Sequence, residues 1–353
     1  MHQKIVTIHD VARLSGVSAT AVSLVLNSRP NKIPSVTKDK IRHAADALNY
    51  TPNMTARSLA TKKTATVGII IPDITNAFFA EAVKMIQLNL SKRGYDTFLC
   101  NSEEMFEQDL KYIQLLALRN VDGLILTLSA ESLKPENWPM IQETLTQCGI
   151  PYVLFDRYYP GSDPKVMVDN TMSGYQAARH LITSGHVKIG IITGPMTLNS
   201  SLNRLKGVQQ AFRDSGIKLT DDVIFTGRYD LKTGREGARK LLGKVSAIFA
   251  FNDLQAYGVM ETAKAMALSI PGDVSLIGFD DLAYSSLLWT SLTTMRQPLP
   301  ELTERVCDLL FQVIHDPTFT EEIRLPATLV VRGSVGSCSN DDPDWNHPKE
   351  GGE

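Results

Sequence analysis

The sequence predicts an α/β protein: a body of two doubly wound parallel-sheet lobes, preceded by an all-α helix-turn-helix domain. Three observations carry this prediction. Residues 7–27 read TIHDVARLSGVSATAVSLVLN, two short helical patterns parted by a tight turn containing Gly. Beyond residue 64, eight apolar runs of strand length (TVGIII, DTFLC, GLILTL, YVLF, KIGIIT, VIFTG, AIFAF and VSLIG) alternate with amphipathic segments such as FFAEAVKMIQLNLSKRG and ERVCDLLFQVI, the pattern of parallel sheets covered on both faces. The charge is also split. Residues 1–63 hold ten Lys or Arg against three Asp, a surplus of seven, while the rest of the chain holds 26 basic and 35 acidic residues and carries −9.

The first helix opens at Thr7, with Asp10 three residues on as the second half of a capping box, and continues through Val11, Ala12 and Leu14. Gly16 ends it. Ser18 caps the second helix, whose Val22, Val25 and Leu26 face inward before Asn27 supplies a left-handed stop. A third helix from about Ser35 places Ile41, Ala45 and Leu48 on one face and closes a three-helix core. On the outer side of the second helix stand Ala19, Thr20, Ser23 and Leu24, small enough to let a backbone approach base edges in a major groove. A helical hairpin inside a core would show the same pattern, but the local excess of positive charge favours a nucleic-acid partner.

Tyr50 to Lys63 reads YTPNMTARSLATKK, and a helix over about 53–61 would be too short to stand alone. Two readings stay open for this stretch. In one it is a hinge helix that orders on DNA, with Asn53, Ala56 and Leu59 toward the minor groove, Leu59 as a wedge, and Arg57, Lys62 and Lys63 on phosphates. In the other it is a plain linker whose Leu59 packs on the body.

The body divides into lobes of about 64–159 plus 290–316 and about 160–289 plus 317–337. The crossover near Thr290 to Gln297 leads back to the first lobe, and Ile323 to Arg332 reads as a late edge strand. Ligands of such sheets bind in the crevice at the carboxyl ends of the strands. Phe78 and Phe79, after the first strand, can stack on a sugar ring or a base, or belong to the core at a helix start. Arg157 after YVLFD, Arg204 in the RLKG helix and Asp253 after AIFAFN are charges at strand or helix mouths. They either grip hydroxyls or form structural ion pairs across the cleft, and the cost of unpaired charge in a crevice favours the ligand role for Arg204 and Asp253. His186 is assigned to the turn before a strand.

The run TIHDVARLSGVSATAVSLVLN, then ALNYTPNMTARSLATKKTATVGIIIPD, and later FFAEAVKMI, VDGLIL, IPYVLFDR, GHVKIGIITGP, RLKGVQQAF, AIFAFNDLQAYGVM, PGDVSLIGFDD and SLTTMRQP resemble the LacI/GalR family of bacterial transcription regulators over residues 5–335. The resemblance implies a periplasmic-binding-protein-like sensor body and an operator-reading domain over residues 1–63. Thr7, Ser18, Ala19, Thr20, Ser23, Leu24, Asn27, Asn53, Ala56, Arg57 and Leu59 would then meet DNA. It implies an effector role for Phe78, Phe79, Arg157, Ser200, Arg204, Tyr229, Asp253 and Gln297. The expected partners are double-stranded DNA carrying a pseudo-palindromic operator, a small-molecule effector and a second copy of the chain in a homodimer.

Three departures refine that expectation. Leu24 stands where many relatives carry Arg, so it cannot make the bidentate contact to guanine and suits a thymine methyl instead. Pro34 stands where a capping Ser is common. Leu198 stands where purine-type relatives carry an Arg, which with Ser200 retained favours a carbohydrate effector over a purine.

Other functions fit less well. The chain shows no GxSxG elbow, Walker A loop, HExxH helix or GxGxxG after a strand, and the pair Asp280–Asp281 is read as a lobe-hinge turn rather than a catalytic dyad. An enzyme, or a stand-alone sugar-binding transport protein, would explain the cleft but not the basic amino terminus. No cofactor or metal is expected. Cys100, Cys148, Cys307 and Cys338 form no CxxC pair and are read as buried thiols in a reducing cytosol. MHQKIVTIHD lacks the apolar core of a signal peptide and no run is long enough to span a bilayer, so a cytoplasmic location without membrane contact is expected. The residues from 338 on are expected to be disordered, and they hold no Leu heptads for a tetramerising coiled coil.

Overall fold

A computed structural model describes residues 6–26, 31–50 and 63–338. The chain forms two compact units, Met1–Thr64 and Ala65–Glu353, each with its own core. The hinge segment, Asn27 and the tail from 339 on lie outside the described residues.

In the first unit, α1 (Ile8–Ser15), α2 (Ala19–Leu26) and α3 (Ser35–Ala47) enclose Val11, Val22, Val25, Ile41, Ala44 and Ala45. Leu14, placed on the helical pattern by its spacing, is exposed. At the start of α1 the Thr7 backbone N–H and hydroxyl both donate to the Asp10 carboxylate, at 3.0 and 2.7 Å. Gly16 ends α1 at φ 72°, a left-handed geometry that glycine adopts without steric penalty and that turns the chain sharply into α2. The Ser18 hydroxyl accepts from the Ala21 N–H at 3.2 Å, capping α2. Pro34 precedes α3 and offers no side-chain cap.

The second unit holds two six-stranded sheets. In chain order its elements are β1 (Thr66–Ile71), α4 (Ala77–Ser91), β2 (Asp96–Asn101), α5 (Phe106–Leu118), β3 (Gly123–Leu126), α6 (Trp138–Cys148), β4 (Tyr152–Phe155), β5 (Lys165–Val168), α7 (Asn170–Thr183), β6 (Ile189–Thr193), α8 (Asn199–Asp214), β7 (Ile224–Thr226), α9 (Leu231–Leu241), β8 (Ala247–Ala250), α10 (Asp253–Ala265), β9 (Ser275–Asp280), β10 (Thr293–Arg296), α11 (Leu299–His315), β11 (Glu322–Leu325) and β12 (Thr328–Val330). The first sheet runs β11-β5-β4-β3-β1-β2 with all pairs parallel. The second runs β12-β10-β9-β8-β6-β7, parallel except for β10 with β12. Central strands such as β3, β6 and β8 are buried along their whole length, which is why they read as unbroken apolar runs.

The eight expected strands are joined by four more, and these move the lobe boundaries. The first change of sheet comes after β5, not at 157–164, because KVMV pairs with β4. Lys165 hides the strand character of that run: its ammonium is buried and donates to the carbonyls of Gly161 and Asp163 at 2.5 and 3.1 Å. The stretch expected to cross over, 290–297, is itself β10 in the second sheet, and the crossing follows it into α11, which packs on the first. The single edge strand expected at 323–332 is two strands, one on the edge of each sheet, parted at Pro326. Three segments thus join the lobes. Of the four cysteines only Cys307 is buried, and the other three are partly exposed.

Candidate functional sites

On the first unit, Thr20 is exposed on α2 while Ala19, Ser23 and Leu24 are half-buried. The hydroxyls of Thr7 and Ser18 are spent on capping, so each holds a helix start in place as well as standing at the surface. Arg13 and Arg42 are exposed, each with an Asp 3.5 Å away, and such open pairs leave the guanidinium available to other anions. Five residues expected to meet DNA, Asn27, Asn53, Ala56, Arg57 and Leu59, lie outside the described residues.

In the second unit, the strand ends of the two sheets face each other across a cleft. An inner recess of about 20 Å³ is lined by Phe78, Phe79, Arg157, Ser200, Arg204, Tyr229 and Gln297, seven of the eight residues expected at an effector site. It opens into an outer chamber of about 370 Å³ that shares Asn76, Phe79, Arg157 and Tyr229 with it.

Asp253 does not line the recess. Its carboxylate is fully buried and saturated from within: Oδ2 accepts from the Leu282 N–H at 2.8 Å and the Ser285 hydroxyl at 2.6 Å, and Oδ1 from the Thr294 hydroxyl at 2.7 Å. The expectation of a ligand contact rested on an unpaired charge, and the protein has already paired this one. Burial raises its pKa to about 6, against the pull of those three donors.

Arg204 lines the recess but is also held by protein. Its Nε donates to Asn170 Oδ1 at 2.7 Å, NH1 donates to the Phe251 carbonyl, and the guanidinium lies over the Phe279 ring, 3.4 Å from its centroid. Arg157 makes a bidentate pair with Glu104 at 2.9 and 3.0 Å, donates to the Leu128 carbonyl and lies over Phe79. This ion pair sits within one lobe and does not bridge the cleft. Burial alone would lower the Arg157 pKa, and the Glu104 carboxylate more than reverses it, so both groups stay ionised. The Tyr229 hydroxyl lies 3.2 Å from Ser200 and 2.8 Å from Ser201, which fixes its ring at the mouth of the recess.

Four further residues line the recess that the sequence reading did not assign as contacts: Asn76, Asp156, Asn252 and Asp280. Asn76 and Asn252 are N-caps of α4 and α10, each accepting a backbone N–H from its own first turn, at 3.1 and 2.9 Å. A polar cap soon after an apolar strand is the signal that could have found them. Asp280, read as part of a hinge turn, ends β9 with φ 119° and is followed by Asp281 at φ 60°. Two successive residues in a region side chains avoid mark a locally strained corner, a feature that clusters at ligand sites. Gln297 Nε2 donates to Asp280 Oδ1 at 2.7 Å, while Gln297 Oε1 is buried with no partner. Burial raises the Asp280 pKa and the charge of Asp253 adds to it, with Arg204 opposing. Asp281 points elsewhere and ties Arg296 and Arg332, both at 2.6 Å. His186 takes the structural place expected of it, between Ser246 and the Gly336 carbonyl.

Among the described residues no helix is long and apolar enough to cross a membrane, and no cluster of three or more His, Cys, Asp or Glu has metal-ligand geometry.

Comparison with known proteins accords with this architecture. The HTH-type transcriptional regulator DegA of Bacillus subtilis (strain 168) is 33% identical over 93% of this chain and 98% of its own length. The ribose operon repressor of Escherichia coli (strain K12) is 34% identical over 93% and 99%. Among solved structures, the transcriptional regulator CelR in complex with cellobiose superposes with a TM-score of 0.70 at 27% identity, covering 93% of this chain and 99% of that one. The lac repressor dimer bound to operator and an anti-inducer shares the fold, with a TM-score of 0.83 at 24% identity over 94% and 100%. Residues 7–53 match the bacterial regulatory proteins of the lacI family, and residues 64–332 match the periplasmic binding proteins and sugar binding domain of the LacI family. With a three-helix module ahead of a two-lobed body and both halves matched, the chain belongs to the LacI family and is a DNA-binding transcriptional regulator.

Proposed function

We propose that the chain represses carbohydrate uptake or catabolism genes and that a sugar or sugar derivative, bound between the lobes, changes its affinity for the operator. Gln297 carries this reading. Its Nε2 is committed to Asp280 while its Oε1 is buried unpartnered, and an unmet buried acceptor costs about 1–3 kcal/mol. A hydroxyl donor meets that need, and the partly exposed Tyr229 ring at the mouth of the recess suits the apolar side of a sugar ring, while Phe79 is a core residue that shows only its edge to the recess. Phe78, Arg157, Ser200 and Arg204, with Asn76, Asp156, Asn252 and Asp280, complete the contact set. Among the relatives one is a ribose operon repressor and another was solved with cellobiose, while others are named PurR, so the choice of class rests on the cleft and not on the names. Leu198, fully buried at the start of α8, supports the same class.

At the other end, Ala19, Thr20, Ser23 and Leu24 of α2 read base edges while Thr7 and Ser18 meet the backbone. Asn27, Asn53, Ala56, Arg57 and Leu59 extend the contact into the hinge. A homodimer places two such modules on a pseudo-palindrome, and a change of lobe angle alters the spacing of the hinges. The protein works in the cytoplasm and acts by binding, not catalysis.

Thermal unfolding against neutral sugars, sugar phosphates and purines tests the effector. A specific ligand at about 100 times its dissociation constant adds roughly 2.7 kcal/mol to stability. The expected result is a shift by a sugar that also alters operator affinity, and a shift by purines alone overturns the carbohydrate reading.

A further inference from the structure

We propose that the effector is a neutral glycoside of at least two units, with its first ring at the wall shared by the two chambers and its second unit in the outer chamber. This rests on the carbohydrate reading above and extends it to size and charge.

Size is the first argument. At about 20 Å³ the inner recess has room for one or two waters. It accepts hydroxyl groups, not a ring. The first ring must therefore lie at the shared wall, against Tyr229, with its hydroxyls directed to Gln297 and Asp280. Beyond that wall the outer chamber adds about 370 Å³, within the ~300–1,000 Å³ span of pockets that enclose drug-sized ligands. A single ring at the wall leaves most of this volume to water.

Charge is the second. The outer chamber has three cations, and each lies beside a carboxylate: Arg157 with Glu104 at 2.9 Å, Lys134 with Glu131 at 3.7 Å and Arg228 with Asp230 at 4.0 Å. Asp73 adds a fourth acid, whose Oδ1 accepts from the Thr75 backbone N–H and hydroxyl. The lining is thus net negative by one and holds no cation without an acidic neighbour. The one buried cation, Arg157, is held by Glu104, so a phosphate or carboxylate would have to break that pair to reach it and would otherwise meet only the open pairs of Lys134 and Arg228 against a net negative lining. A neutral polyol instead finds alternating donors and acceptors.

The test uses the full chain and names its probes: cellobiose, maltose, lactose, sucrose and trehalose, each beside its own monosaccharides, together with glucose 6-phosphate, measured by calorimetric titration. At least one disaccharide is expected to bind at least about tenfold more tightly than either of its monosaccharides and than glucose 6-phosphate. Thr197→Trp, a change at an exposed outer-chamber position, is expected to remove that advantage and leave monosaccharide binding within about twofold. Arg228→Ala serves as a second variant, and unliganded melting curves confirm that both fold. Equal affinity for a disaccharide and its monosaccharide overturns the two-unit proposal but leaves the carbohydrate reading intact. Preference for glucose 6-phosphate overturns neutrality. No binding of any sugar, with a response to purines, overturns both readings together.

Discussion

Asp253 shows how a buried carboxylate can be costly and yet necessary. Its three donors come from β10 and from the turn after β9, so the side chain pins that turn against the start of α10. Burial holds its pKa near 6, above the ordinary carboxylate value. The folded state therefore binds a proton more tightly than the unfolded chain does. The stability this contributes is fully present below about pH 4 and is lost as pH rises toward 6. Asp253→Asn cannot ionise, so the stability difference between the variant and the wild type should move in the variant's favour between pH 4 and 6, on the order of 2 kcal/mol, and then level off. Denaturant unfolding of both proteins across that range checks it, and a difference independent of pH overturns it. Gln297 makes the complementary case, because its free acceptor awaits a ligand. Gln297→Ala should weaken sugar binding by about tenfold or more, and should also cost the unliganded protein about 1–3 kcal/mol because Asp280 loses its donor. Titration of the identified sugar into both proteins decides this.

The recess depends on where helices begin, and helix α8 shows what sets that. It carries Ser200 and Arg204 to the cleft and packs so closely on α7 that a Cβ on Gly207 would lie 2.0 Å from the Thr171 carbonyl oxygen and 2.6 Å from the Tyr175 nitrogen. Both obstacles are backbone, so Gly207→Ala must push the helices apart. The expected loss is about 1–3 kcal/mol, with weaker sugar binding because Arg204 moves off Asn170. An unchanged melting temperature would show that α7 yields at no cost. Much at this scale was legible in the sequence. Long apolar runs gave the central strands, and the Gly16 turn and Ser18 cap gave the helix-turn-helix. The short strands were not legible: β5 carries a lysine whose ammonium is satisfied by carbonyls, and β10 owes its burial to a threonine bonded to Asp253. The β10 contact joins residues far apart in the chain, which periodicity cannot register, while the β5 lysine finds its carbonyls close by, at Gly161 and Asp163, and simply interrupts the apolar run. Of the seven anticipated residues that line the recess, Phe78, Phe79 and Arg157 were legible as residues just past apolar strands and Arg204 as a charge near a helix start, whereas Ser200, Tyr229 and Gln297 were expected from the family resemblance alone. Asp253 also follows an apolar strand and differs only in which way its side chain turns.

At the scale of the whole molecule, the split of charge becomes a thermodynamic expectation. Residues 1–63 carry a surplus of seven positive charges and the remainder carries −9, so attraction to a polyanion must come from the amino-terminal unit. DNA affinity gained by neutralising phosphates depends on counterion release, and neutralising about 6–10 phosphates costs about 10³–10⁵ in affinity between 50 and 200 mM salt. Two modules on one operator bring enough Lys and Arg to reach that range. Fluorescence anisotropy of labelled operator should therefore show a fall of about a thousandfold or more across this interval for the full chain. A chain lacking residues 1–63 should show no measurable DNA affinity at any salt, yet should retain the thermal shift given by the sugar, because the second unit has its own core and its own cleft. The two outcomes are independent. A flat salt response would assign operator binding to hydrogen bonding and apolar contact alone, and loss of the sugar response on deletion would show that the cleft is not complete within residues 65–353.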